Sequence, residues 1–251
     1  MAIRDTGSLE HPLQRFFTAT RPQPTFQWER HQQRDVLVIT HPQCQAVFSR
    51  QGAQLLHFQP TGQKPWLWCA SQWPQVGAIR GGVPVCWPWV GRHPGEGGWP
   101  ANGWGRLLDW KLIDSQEHAD GVSLHWRLSL WDWQADLYAE LGQGMDLRLE
   151  TRHEDSEPCQ FGQALHAYWR ISDIGDVAGQ PAHGCLFESR EHVGLHGARE
   201  QHHLAGLSII IAVIKQRPEI VPAVVIRVAF LPRADPVAHQ RRVSAVENMG
   251  R

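Results

Sequence analysis

The chain has 251 residues, 24 Lys and Arg against 25 Asp and Glu, a formal net charge of −1 and 42% hydrophobic residues. That length and apolar content suit one sizeable folded unit, and a balanced charge without a long basic run leaves no electrostatic footprint for nucleic acid. Five scattered cysteines, Cys44, Cys69, Cys86, Cys159 and Cys185, show no CxxC spacing. They indicate neither a disulfide framework nor a zinc knuckle, and a reducing cytoplasm is the expected location.

The segment from Met1 to Phe17 has no apolar signal core. Short strands are predicted early, at DVLVIT from Asp35, AVFSR from Ala46 and AQLLHF from Ala53. Leu108, Trp110 and Leu112 alternate with other residues, Asp120 and Gly121 supply turn chemistry, and Val122, Leu124, Trp126, Leu128 and Leu130 then alternate with polar residues. This is the period of two of a strand with one wet face. Met145, Leu147 and Leu149 repeat it, and no helix of similar clarity appears. A large antiparallel β-sandwich is the expected all-β architecture.

Two stretches between these strands carry the chemistry: IRGGVPVCWPWVG, Ile79 to Gly91, and NGWGR, Asn102 to Arg106. Arg80 and Arg106 are forks of donors matched to phosphate oxygens. Gly81 and Gly82 permit close backbone approach. Trp87, Trp89, Trp99 and Trp104 offer flat faces suited to stacking on a pyranose. The same tryptophans could instead plug the end of a sandwich, with the arginines solvated.

The order of RGGVPVCWPWVG, NGWGRLLDW and ALHAYWRISDI, Ala164 to Ile174, preceded by QGAQLLHFQPTGQKPWLW from Gln51, resembles the D-hexose-6-phosphate mutarotase family, or glucose-6-phosphate 1-epimerases, of the aldose 1-epimerase superfamily. The resemblance covers about residues 30 to 176. It implies a galactose mutarotase-like supersandwich, an isomerase acting on hexose 6-phosphates, and a small-molecule sugar phosphate as partner. Neither a metal nor an organic cofactor is expected, since side chains can perform both proton transfers, nor is a nucleic-acid or membrane partner; the chain is expected to be a monomer.

Mutarotation needs an acid and a base flanking the sugar. The resemblance makes His166 the acid, Arg80 and Arg106 the phosphate ligands, and Asp173 an acceptor for sugar hydroxyls or a group that orients a neighbour, although ISDIGD is also turn chemistry. Asn102 stands where the family has a histidine, keeping a hydrogen-bond donor but not a titrating one. With Trp104 it completes the expected substrate contacts.

The tail departs from this pattern. All 13 tryptophans lie at or before Trp169, and neither sustained alternation nor the resemblance continues past about Val177. The expected organisation is a mutarotase-like domain over 1–177 and a divergent tail over 178–251, from a shifted reading frame or a fusion, leaving the sandwich incomplete at its C-terminal end. The family's late catalytic glutamate then has only a weak counterpart, Glu247. His192, His196, His202 and His203 lie close together but without an HExxH pattern, and are expected to be solvated or disordered. Leu204 to Ile214 is about half the length needed to cross a bilayer and reads, like VVIRVAF, as a buried strand or helix. Two alternatives accompany the epimerase reading: a sugar-phosphate-binding homologue with impaired catalysis, and a truncated, non-functional product.

Overall fold

The structure, a computed structural model, describes residues 11–18, 23–93, 95, 97–154 and 161–170, and the backbone of the three strands Leu207–Lys215, Val224–Phe230 and Val243–Ala245. It is nearly all β, with one 3-10 turn at Gln14–Phe17. The first four strands, β1 (Phe26–His31), β2 (Arg34–His41), β3 (Cys44–Ser49) and β4 (Gln54–Pro60), form an antiparallel meander in chain order. The short β5 (Val85–Cys86) lies beside β10 (Phe161–Trp169), and β11 (Leu207–Lys215) pairs with the other edge of β10. A larger sheet runs β13-β12-β9-β8-β7-β6, from β6 (Lys111–His118), β7 (Gly121–Leu130), β8 (Trp133–Leu141), β9 (Met145–His153), β12 (Val224–Phe230) and β13 (Val243–Ala245).

The main core lies where the apolar faces of these sheets meet, with Phe48, Trp87, Trp110 and Trp126 all but wholly buried in it. Strands β7 and β9 alternate as their sequences predict, inward residues joining the core and outward ones half-exposed. β2 to β4 do not alternate cleanly, because a second cluster covers the outer side of the first sheet. There Leu13, Trp73 and Ile79 pack on Val36, Val38, Val47 and Leu56, with Phe16 and Phe17 at its margin. A sheet covered on both faces reads as a continuous apolar run.

The partner of β7 differs from its expected position. The apolar residues Leu108 and Trp110 precede the strand, which is the polar stretch Lys111–His118. Among the described strands β6 has only β7 as a neighbour, and it is exposed or half-exposed along its length, so no buried face imposes alternation on it. Trp110 is instead drawn into the core, its indole N–H donating to Gly105 O at 2.7 Å. The two apolar runs of the tail, ambiguous in sequence, are the strands β11 and β12, paired along β10 and β9.

Candidate active site

β10 organises the site through the two-residue period of a strand. Leu165, Ala167 and Trp169 enter the core, which leaves His166 and Tyr168 on the opposite face, both half-buried. The segment leading to β5 lies alongside: His166 N donates to Pro84 O at 3.1 Å and Tyr168 N to Gly82 O at 2.8 Å, extending the register of Leu165 opposite Val85. Arg80 begins that segment and is exposed. The positions facing the two rings are thus a glycine and a proline. Gly82 has φ +61°, and a Cβ there would meet Leu55 O at 2.1 Å, so no other residue fits without displacing β4.

NGWGR folds against the backbone of Trp87 and Pro88. Asn102 and Gly103 both adopt positive φ, 63° and 72°, a conformation that Asn and Gly tolerate best. A Cβ on Gly103 would lie 2.0 Å from Trp87 O, and this close approach delivers Arg106 to the site. The Arg106 Nη2 donates to Ala101 O at 2.7 Å, while its Nε and the Trp104 indole N–H are buried without a hydrogen-bond partner. Unpaired buried donors of this kind cost about 1–3 kcal/mol each.

Electrostatics ties these groups together. Burial, reinforced by the Arg106 charge, holds His166 down at about 4, so its imidazole is neutral near pH 7. Burial raises the Tyr168 phenol above its ordinary value, and the charges of both Arg80 and Arg106 oppose that rise. Both guanidinium groups therefore act on one phenol, and one of them also acts on the neighbouring imidazole. Cys86 adjoins the same groups as a free, buried thiol, pushed by burial up to about 11.

The other expected contacts divide. Asn102 clamps its loop: its N donates to Gly91 O at 2.7 Å and its Oδ1 accepts from Gly91 N at 2.7 Å. Trp87 is wholly buried, donating to Thr151 Oγ1, and Trp89 is 8% exposed, donating to Pro100 O, so both are core indoles. Trp99 stacks on Trp89 and on Trp131, and Trp104 meets Trp99 edge-on at 6.5 Å. Asp173, Glu247 and the four tail histidines lie outside the described residues. Tyr168 is the residue that sequence reasoning missed, although its signal is legible: on a strand it shares the face of His166.

A family model described as aldose 1-epimerase matches residues 35–193. A protein of Escherichia coli K12, provisionally named glucose-6-phosphate 1-epimerase, is 38% identical over 155 residues, covering 57% of this chain and 51% of that protein. A Salmonella typhimurium LT2 protein with the same provisional name is 36% identical over 154 residues, with coverage of 57% and 51%. The chain spans about half the length of these relatives. A solved structure provisionally described as a mutarotase from Salmonella typhimurium superposes with a TM-score of 0.59 at 30% identity, covering 66% of this chain and 59% of that one.

Proposed function

The chain belongs to the aldose 1-epimerase family, and from that premise we propose that it interconverts the α and β anomers of a hexose 6-phosphate, with glucose 6-phosphate the representative substrate. The observation that carries this reading is the half-buried face of β10 where the His166 and Tyr168 rings lie 4.7 Å apart, with the Arg106 charge acting on both rings and the Arg80 charge on the phenol. Two guanidinium groups suit a phosphate dianion, and an imidazole next to them suits proton transfer at the hemiacetal.

In this reading a base takes the proton from the anomeric hydroxyl as the ring oxygen gains one and the C1–O5 bond breaks. The open-chain aldehyde turns about C1–C2, and the same transfers in reverse close the ring on either face. His166 serves at the ring oxygen. Its low pKa has a built-in remedy: a phosphate on Arg106 offsets the positive charge that helps keep the imidazole neutral, so substrate binding itself shifts His166 towards protonation. The second group is a carboxylate, with Glu247 the candidate from sequence, and Asp173 meets the sugar hydroxyls. Asn102 contributes by holding the loop whose Ala101 carbonyl accepts from Arg106.

The test is anomer exchange of glucose 6-phosphate, followed by polarimetry or exchange NMR at neutral pH. The expected result is a rate well above that in buffer and a clear preference over unphosphorylated glucose. A rate equal to buffer overturns the reading, and phosphate binding without exchange would leave a sugar-phosphate-binding homologue.

A further inference from the structure

Tyr168 is held more firmly than a bystander on an open strand face requires. Its backbone N donates to Gly82 O at 2.8 Å, its carbonyl accepts from Trp68 N at 2.9 Å, and the Trp68 indole lies 6.0 Å from the phenol ring. The His166 ring is 4.7 Å away, tilted by 31°. Opposite stands Gly82, which brings no side chain. The phenol thus packs near both an indole and an imidazole, with the charges of Arg80 and Arg106 acting on it.

Two chemical facts define what this group can do. A phosphate monoester dianion has three terminal oxygens and more lone pairs than two guanidinium groups fill. A phenol that stays protonated near neutral pH supplies one further O–H donor without adding positive charge, so it completes the coordination of the anion without pressing the neighbouring imidazole further from protonation.

We propose that Tyr168 is a third phosphate-binding residue, its phenolic O–H donating to a phosphoryl oxygen held between Arg80 and Arg106. This rests on the reading of the site as one for a hexose 6-phosphate. It deepens that reading by making Tyr168 a determinant of phosphorylated over unphosphorylated sugar. Because His166 is the next residue on the same face, the tyrosine also sets the separation between the anchored phosphate and the reacting hemiacetal.

Tyr168→Phe tests this, since it removes only the hydroxyl and keeps the ring and its contacts with Trp68 and His166; near-UV circular dichroism reports whether the fold persists. Inorganic phosphate is titrated into the full chain by isothermal calorimetry, and anomer exchange is measured on glucose 6-phosphate and on glucose. The variant is expected to bind phosphate about tenfold or more weakly, the range of a hydrogen bond to a charged acceptor, with the loss for glucose 6-phosphate falling on KM rather than kcat. The KM for glucose stays level. Unchanged phosphate affinity overturns the proposal, as does a loss confined to kcat, which would make Tyr168 a positioning residue acting through His166. A wild-type chain that binds no phosphate overturns it too. If the wild type binds phosphate without exchanging anomers, and the variant binds it more weakly, Tyr168 is upheld and the epimerase reading falls.

Discussion

Two of the places where the described residues bury an imidazole near an arginine differ in access, and only the more open of them can be a site. On β10, His166 is half-buried, with Tyr168 and the charge of Arg106 beside it. Behind the first sheet, His57 of β4 is 0% exposed and both its ring nitrogens lack a hydrogen-bond partner. His11 meets it edge-on at 4.4 Å, Phe17 stacks on it at 5.3 Å, and the charge of Arg170 acts on both imidazoles. Burial first, and then neighbouring positive charge, depresses all three histidines, His11 and His166 to about 4 and His57 well below its ordinary value. A displaced pKa therefore does not distinguish chemistry from structure here. Access, and the convergence of groups that a ligand would use, does.

The sharpest way to break this contrast is His166→Asn. General acid–base groups contribute about 100- to 10,000-fold, and a loss of that size in anomer exchange, with the thermal midpoint little changed, is expected. His57→Leu should leave the rate constant per folded molecule intact, so equal losses from both changes would erase the distinction.

Next in size are the arginines. Arg106→Ala should lower kcat/KM for glucose 6-phosphate by about 10- to 100-fold, as expected when a charged hydrogen-bonding partner is lost, while leaving the slow reaction of glucose nearly level. Arg80→Ala should behave alike. A uniform loss on both sugars would assign these residues to the scaffold.

Acid stability probes the sealed cluster. The folded pKa values lie below the ordinary 6.5, so the unfolded chain takes up protons that the native state refuses. Stability is therefore complete above about pH 6.5 and falls as the pH drops towards 4, each group costing about 1.4 kcal/mol for every pH unit that separates its folded pKa from its unfolded one. His57→Leu, which removes two unpartnered nitrogens, should raise stability at pH 7 by about 1 kcal/mol and flatten the acid slope in urea melts at pH 7 and pH 5.

The smallest effect is the most diagnostic. Because Arg106 lowers the pKa of His166, Arg106→Ala should raise it from about 4, though burial still keeps it below the ordinary value. Imidazole NMR titration measures this, and no movement would separate the two residues. In the wild type the limb of kcat/KM that falls as the pH rises, which reports the acid of the free protein, should follow the His166 titration.

The sequence made much of this legible. Alternation in Val122 to Leu130 and Met145 to Leu149 read true because those strands have one covered and one wet face. It misplaced β6, where an edge strand carries no apolar imprint, and it read β2 to β4 without foreseeing their second cover, since nothing local announces that the segment at Leu13 folds back over the sheet. Arg80, Arg106 and His166 stood out by residue type and motif. Tyr168 needed only the rule that alternate strand residues share a face. His57 left no trace, because a lone buried histidine looks like any other in a string of letters. The clamp made by Asn102 was hidden for another reason: an Asn-Gly pair signals a turn but not which backbone group its amide will grip.

That clamp has a practical consequence. Gly91 and Asn102 close the neck of the loop with paired hydrogen bonds, and an added Cβ at Gly97 or Gly98 would meet nothing within 4 Å. The entropy of closing a loop grows only slowly with its length, so a foreign peptide spliced between those glycines would leave the Gly91–Asn102 neck closed. The molecule thereby offers an engineering port, where a reporter or affinity handle could be carried with the neck intact.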